Sequence, residues 1–160
     1  MKGKQAKDKN WKKEGLAMTT NLKRFNNIHQ YLRKSSSHIE WKKKSYNASN
    51  GRCVVTKRRD ELEIHHLNKS FSEIVEEAHR ELGLEEQETD KYTQQELFAL
   101  EIKVRELHSR YGLGVAVHKN IHALFHKKYG KKTTKEDFYQ FKRDLKSKKY
   151  KYKNTKERND

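Results

Sequence analysis

Residues 61–70, ELEIHHLNKS, constrain the fold and chemistry of this chain more than any other stretch. In ELEI, apolar residues alternate with glutamates, which is the period-2 pattern of a half-buried β-strand. His65 and His66 stand side by side at the end of that strand. Because neighbouring strand residues point to opposite faces, both histidines can serve one site only where the strand ends or bends.

The residues just before this strand predict its partner. RCVVT at 52–56 and ELEIHH at 61–66 are joined by the turn-forming KRRD, and we predict that they form a β-hairpin. A second short extended piece, GVAV, follows at 114–117. Together with helices elsewhere in the chain, these strands predict an α+β fold with a small sheet.

Helical periodicity and capping residues predict helices along most of the remaining chain. Apolar residues at helical spacing indicate a first helix at 22–33, and Trp41 anchors a short second one. Capping boxes mark the start of three more helices, and glycines mark helix ends. The boxes are Ser70 with Glu73, Thr93 with Glu96 and Thr134 with Asp137, and the terminating glycines are Gly83, Gly112 and Gly130.

The charge of the chain predicts an anionic partner. The net charge is +16, and only 32% of the 160 residues are hydrophobic, so the core must be small. Acidic residues concentrate in the middle of the chain, which divides it into a basic arm at 1–20, a domain at 21–145 with an acidic helical insert at 70–112, and a basic tail at 146–160. No secretory signal or membrane-spanning run is visible, which indicates a cytoplasmic protein.

Three histidines recur on the helix that follows GVAV. His118, His122 and His126 are spaced i, i+4 and i+8, which predicts one slowly drifting helix face. A strand-end histidine that meets a helix-borne histidine can hold a divalent ion, while the other strand-end histidine stays available to accept a proton. In a strongly basic chain, a phosphodiester is the expected electrophile.

The stretches GRCVVTKRRDELEIHHL and VHKNIHALFHKKYG together resemble the HNH endonucleases, and the resemblance extends over 31–141. It implies a ββα-metal core, in which a hairpin and a helix surround one ion. It also implies that His65 and His122 bind the metal and that His66 is the general base. The implied activity is metal-dependent hydrolysis of double-stranded DNA by a phage-type or intron-associated homing endonuclease in a bacterial host cell.

Two features depart from the family pattern. Many members hold a structural zinc through two Cys-x-x-Cys pairs, but Cys53 is the only cysteine of this chain, so we expect that zinc to be absent. The middle asparagine, which orients the base, would fall near Leu113 or Gly114. A backbone carbonyl, His108 or Asn120 could replace it, and the sequence leaves these alternatives open.

Several further residues complete the predicted site. His126 could orient a ligand, contact a phosphate or complement the negative end of its helix, and His118 and Asn120 are candidates for the first two roles. The metal could be Mg, Mn, Ni or Zn, and we expect a monomer rather than a dimer. The predicted DNA-binding residues are Arg52, Lys57, Arg58, Arg59, Lys127 and Lys128.

Two rival interpretations come from other functional classes. The lost asparagine is also compatible with a nucleic-acid-binding protein that has no catalytic activity. Alternatively, a structural zinc could be held by one cysteine and three histidines. That cage would use Cys53, His65, His118 and His122.

Overall fold

The computed structural model describes residue 25 and residues 27–147, and within them the protein is α+β and mostly helical. The described part contains one antiparallel sheet of two strands and six α-helices. The strands are β1 (Leu62–His65) and β2 (Val115–His118). The helices are α1 (Ile28–Arg33), α2 (Ser36–Ala48), α3 (Phe71–Leu82), α4 (Gln94–Tyr111), α5 (Lys119–Tyr129) and α6 (Lys135–Lys146).

The three predicted capping boxes are confirmed, and each fixes the start of a helix. Thr134 accepts a hydrogen bond from the Asp137 backbone N–H, while the Asp137 carboxylate accepts one from the Thr134 backbone. The same reciprocal pairs join Ser70 to Glu73 and Thr93 to Glu96. These bonds satisfy N–H groups that have no partner within the helix, which explains why local sequence predicted the boundaries.

The chain divides into two compact units. In the described range, the first comprises residues up to Ile39 with Val75–Glu106, and the second comprises Glu40–Ile74 with the residues from Leu107 onward. In the first unit, buried His79 bonds through Nδ1 to the Val75 carbonyl and through Nε2 to a tyrosine hydroxyl. All strands and all predicted site residues belong to the second unit.

The predicted hairpin between 52–56 and 61–66 is wrong. β1 pairs instead with β2, which lies after two helices in the chain, and His65 stands opposite Val115 in the register. Residues 52–56 form turns, stabilised by hydrogen bonds such as that from the Lys57 N–H to the Cys53 carbonyl. Local alternation thus identified β1 correctly, but the residues that bond to its edge come from a distant part of the chain.

Helix α5 follows β2 directly and contacts both strands of the sheet. Its apolar side packs with α6 in an aromatic cluster, in which Phe125 meets Phe138 and Phe141 edge-on at centroid distances of 5.5 and 5.2 Å. Burial of such large rings is a main source of stability in a small core. This packing fixes α5 relative to the end of β1.

Gly114, just before β2, lies where the chain passes close to β1. A Cβ atom at this position would stand 2.5 Å from the His65 carbonyl oxygen, 2.7 Å from Ile64 Cγ2 and 2.8 Å from Trp41 Cη2. The Gly114 N–H donates to the buried hydroxyl of Ser45 at 3.0 Å. Only glycine can occupy this position without a shift of β1 or of the indole.

Other sequence predictions have mixed outcomes. Of the helix predicted at 22–33, residues 22–24 and 26 lie outside the described part, and a helix runs over Ile28–Arg33 with Asn27 as its cap. The helix that contains Trp41 has 13 residues rather than a few. The arm at 1–20 and residues 148–160 of the predicted tail lie outside the described residues. Among the helices described, none combines the length and apolarity needed to cross a bilayer.

We predict that Gly114→Ala lowers the free energy of unfolding by about 3 kcal/mol, because overpacking typically costs about 1–3 kcal/mol and the new methyl group meets three neighbours at once. Gly112→Ala is the matched control, since it meets open space and costs only the strain of its positive φ, about 1–2 kcal/mol. Urea unfolding measures both. Equal losses would show that the contact around Gly114 is loose.

Candidate metal centre

Three imidazole rings converge where β1 ends beside α5. His65 Nδ1 lies 3.3 Å from His122 Nε2, and His126 Nε2 lies 2.9 Å from the same atom. The three rings can therefore offer one nitrogen each to a common ion. His122 and His126 are one helical turn apart, so their side chains stack on one face of α5 and both reach the strand end.

The far nitrogens of two of these rings have partners that fix the position of the ring proton. His126 Nδ1 lies 2.7 Å from the Gly130 carbonyl, which can only accept, so Nδ1 carries the proton. His122 Nδ1 lies 2.5 Å from the Glu63 carboxylate, which makes it a donor as well. Both Nε2 atoms consequently direct lone pairs into the space between the rings. A carboxylate or carbonyl behind a histidine is the usual support for a metal ligand.

Glu63 reaches this position because of strand geometry. It stands two residues before His65 in β1, so both side chains project from the same face of the sheet. His65 meets His122 from one side and Glu63 meets it from another. The alternation of side chains along β1 therefore places on one face both His65, a candidate ligand, and Glu63, which orients His122.

Burial favours the neutral form of His65 and of His122. Desolvation, followed by the neighbouring imidazoles of His122 and His126, lowers the pKa of His65 to about 3. Desolvation also lowers the pKa of His122, although the hydrogen bond to Glu63 acts in the opposite direction. Neutral imidazole is the form that binds zinc, nickel and related ions. Lone pairs that face each other at these distances repel unless a cation lies between them.

His65 is held by aromatic rings. It is 3% exposed, stacks on Phe138 at a centroid distance of 5.1 Å and meets Phe125 edge-on at 4.9 Å. Its Nε2 has no hydrogen-bond partner among the described residues. When the ring carries its proton on Nε2, Nδ1 keeps a lone pair and is the nitrogen available for an ion.

His66 belongs to a different environment. Its Nε2 lies 3.1 Å from Nε2 of His108, and its ring stacks on Trp41 at a centroid distance of 4.1 Å. The structure therefore separates the two neighbouring histidines: His65 joins the three-histidine cluster, and His66 joins a second group of rings. This is the outcome expected for adjacent residues at a strand end.

His118 does not share the helix face predicted for it. It is the last residue of β2 and the N-cap of α5, and its Nδ1 accepts a hydrogen bond from the Asn120 backbone N–H. Its Nε2 faces Glu61 at 3.5 Å, and Asp60 completes a second group with metal-binding potential. Lys119 already pairs with Glu61 at 2.6 Å. A lysine that neutralises the group makes it the weaker candidate for a cation.

The four residues of the alternative zinc cage do not gather in one group among the described residues. His65 and His122 gather with His126, whereas Cys53 enters no group of potential metal ligands in the part of the chain that the structure describes. Cys53 is a buried free thiol that accepts a hydrogen bond from the Thr56 N–H. Burial raises the pKa of this thiol, but its hydrogen bonds lower that pKa by more.

The predicted DNA-binding residues have unequal surroundings. Lys127 and Lys128 are exposed in the last turn of α5, directly after His126. Arg52, Lys57 and Arg59 are exposed in the segment that precedes β1. Arg58 differs from the others, because its guanidinium makes a two-point ion pair with Asp60 at 2.6 and 3.1 Å. The guanidinium of Arg58 is therefore already paired with a carboxylate.

We predict that Glu63→Gln weakens binding of Ni²⁺ or Zn²⁺ about 10–100-fold, because loss of an orienting carboxylate typically has that effect. Glu61→Gln is the matched control: it removes the same charge two residues away, where the partner is Lys119, and should leave affinity unchanged. Isothermal titration measures both. Equal weakening by the two variants would mean that net charge, rather than the bond to His122, sets the affinity.

We predict that the metal-free protein loses stability as pH falls from about 6.5 towards 4. Burial lowers the pKa of His108 to about 4, whereas the unfolded chain titrates near 6.5 and so binds more protons between these values. Above about pH 6.5, the contribution of His108 to the free energy of unfolding no longer changes with pH. His108→Gln should reduce the loss by roughly 2–3 kcal/mol, measured by urea unfolding at pH 7.5 and 4.5. Parallel losses in both proteins would contradict the assignment.

The whole chain was compared with models of protein families, with curated proteins and with solved structures, and none of them matches it. A function can therefore be inferred only from the geometry of the site. Three imidazoles each bring one nitrogen to a common space, two of them are oriented from behind, and a fourth histidine belongs to a separate group at the same strand end.

Proposed function

We propose that this protein is a metal-dependent DNA endonuclease of the HNH type. The observation that carries the proposal is the division of labour at the end of β1, where His65 enters the three-histidine cluster and His66 does not. A hydrolytic metal site needs ligands together with a separate proton acceptor, and this strand end offers both.

The order of elements supports the ββα-metal interpretation. β1 pairs antiparallel with β2, and α5 follows β2 and contacts both strands. In this interpretation the hairpin of the fold is formed by β1 and β2, and the acidic insert at 70–112 lies between them in the chain. The resemblance had assigned the first strand to residues 52–56, and it is this part of the assignment that changes.

His65, His122 and His126 would hold the ion, with Glu63 and the Gly130 carbonyl orienting two of the rings. A set of three imidazoles favours zinc, nickel or a related ion over magnesium, which prefers oxygen ligands. When bound, such an ion neutralises charge on a phosphate oxygen and on the leaving 3′ oxygen. In this proposal His126 is a ligand, because its Nε2 lies 2.9 Å from His122 Nε2.

His66 would act as the general base. It removes a proton from the attacking water, the water oxygen bonds to phosphorus, and the bond from phosphorus to the 3′ oxygen breaks. Solvent returns a proton to the departing oxygen. General-base catalysis by a positioned histidine contributes roughly 10²–10⁴-fold in rate. The residue is suited to this role because it lies next to a proposed ligand in the chain but outside the cluster of His65, His122 and His126.

The excess of positive charge would hold the DNA backbone. The chain carries a net charge of +16, and Lys127 and Lys128 are exposed next to His126 in α5. Phosphate contacts of this kind bind without regard to base sequence and weaken with salt. They would place a phosphodiester close to the cluster, where the chemistry requires it.

We predict that the wild-type protein cleaves supercoiled plasmid when Ni²⁺, Zn²⁺ or Mn²⁺ is supplied, and that His66→Ala lowers the rate about 10²–10⁴-fold while DNA and metal affinity are retained. The assay follows nicked and linear products on a gel. His29→Ala is the control, because His29 lies in the first unit and pairs with Glu86. Binding of DNA without cleavage under any metal would favour the inactive nucleic-acid-binding protein instead.

We predict that Lys127→Gln with Lys128→Gln reduces the slope of log affinity against log salt by up to about 1.8, since each phosphate contact on duplex DNA adds about 0.9. Lys44→Gln with Lys91→Gln removes the same charge from lysines that pair with glutamates, and should leave the slope unchanged. Fluorescence anisotropy between 50 and 200 mM salt, roughly the range over which such slopes are measured, compares the pairs. Equal flattening would indicate that binding depends on total charge alone.

A further inference from the structure

The space in which the family pattern calls for an asparagine is filled by other groups. Gly114 cannot carry a side chain, because a Cβ would stand 2.5 Å from the His65 carbonyl oxygen and 2.8 Å from the tip of Trp41. The side chain of the preceding residue, Leu113, is 42% exposed. Neither position can therefore orient His66, and any orienting group must come from elsewhere in the unit.

His108 and Trp41 are among the residues that meet the ring of His66 directly. His108 Nε2 lies 3.1 Å from His66 Nε2, within hydrogen-bond distance. The indole of Trp41 stacks on His66 at 4.1 Å with an interplanar angle of 21°, and it stacks on His108 at 4.6 Å with an angle of 24°. The indole of Trp41 thus stacks on both imidazoles, whose Nε2 atoms are in contact with each other.

The groups that hold His66 are themselves fixed. Trp41 Nε1 donates to the Gly112 carbonyl at 3.1 Å, and the Gly112 N–H donates to the His108 carbonyl at 2.9 Å. One turn after Trp41 in α2, the hydroxyl of Ser45 receives the Gly114 N–H. Helix α2 therefore binds the segment between α4 and β2 at two points, which leaves little freedom for the rings.

The hydrogen bond between the two histidines requires one donor and one acceptor. His108 is 3% exposed, and burial lowers its pKa to about 4, so it is neutral near pH 7. A neutral imidazole has one nitrogen with a lone pair and one with a proton. If His108 accepts at Nε2, His66 carries its proton at Nε2, and the lone pair of His66 is at Nδ1.

We infer that His108 is the positioning residue for His66: it accepts the Nε2–H of His66, so that Nδ1 keeps the lone pair, while Trp41 fixes the plane of the ring. This inference rests on the proposed function, in which His66 is the base. A general base is effective only when the correct nitrogen is unprotonated and the ring is held in place. Here a histidine and a tryptophan supply what an asparagine would supply.

The hydrogen bonds seen at two other candidates from the sequence, Asn120 and a backbone carbonyl, go to residues other than His66. Asn120 lies in the first turn of α5, where its backbone N–H bonds to the ring of His118. The Gly112 carbonyl, a backbone acceptor close in the chain to the expected position, is bound by the indole of Trp41. The ring of His108 is the group that faces His66 at hydrogen-bond distance.

The test is to read the ring tautomer of His66 directly by long-range ¹H–¹⁵N NMR of the full-length, metal-free protein at neutral pH. We expect the Nε2–H form in the wild type. His108→Gln should preserve it, because the glutamine amide oxygen can accept in place of Nε2. His108→Leu should produce a mixture of tautomers, and thermal melting verifies that this variant is folded. A wild-type Nδ1–H tautomer, or an unchanged tautomer in a folded His108→Leu protein, would overturn the inference.

Cleavage kinetics separate positioning from a structural role. His108→Leu should lower kcat about 10–100-fold with unchanged DNA affinity, and His108→Gln should restore kcat to within a few-fold of wild type. His29→Leu, a matched change in the first unit, should leave both unchanged. Equal losses in the Leu and Gln variants would contradict positioning by a hydrogen bond. If the wild type cleaves no DNA but shows the His108-dependent tautomer, the proposed function fails while the orientation of His66 stands.

Discussion

The antiparallel pairing of β1 with β2 is the interaction on which the site depends. It sets His65 opposite Val115 and Leu62 opposite His118. Helix α5 begins directly after His118, and its start is therefore fixed relative to β1. A slip of one residue would exchange the two faces of β1 and bring His66, rather than His65, towards the cluster. The register therefore decides which of the two adjacent histidines joins the three-histidine cluster.

Burial adjusts the chemistry of both histidine groups. Desolvation favours the neutral form of His65 and of His108, which are each 3% exposed, and it lowers both pKa values well below that of a histidine in water. The aromatic rings around His65 and the indole beside His66 also restrict rotation of the two imidazoles. Binding of a ligand therefore costs less side-chain entropy. In the metal-free protein, the facing Nε2 lone pairs of His122 and His126 repel each other, and a cation between them would relieve this repulsion.

Local sequence predicted the features that local interactions determine. Each capping box, the strand ELEI, the extended GVAV and the helix after it could be predicted from neighbouring residues, and the structure brings the rings of His65 and His122 within 3.3 Å of each other. The strand pairing could not be predicted, because β2, the partner of β1, follows it only after two helices in the chain. Residues 52–56, which have the composition of a strand, lie much nearer in the sequence. His118 was misassigned because its helix begins one residue later than the pattern indicated, and Trp41 gave no signal of its contact with His66.

In the proposed site, three histidines hold one ion and the neighbouring histidine is not a ligand. X-ray absorption spectroscopy of the protein loaded with one equivalent of Ni²⁺ or Zn²⁺ counts these ligands. We expect imidazole nitrogens from three residues at about 2.0–2.1 Å, with the signal unchanged in His66→Ala and reduced by one imidazole in His126→Ala. A sulfur neighbour at about 2.3 Å, which only Cys53 or a methionine could supply, or the loss of an imidazole in His66→Ala, would contradict the account.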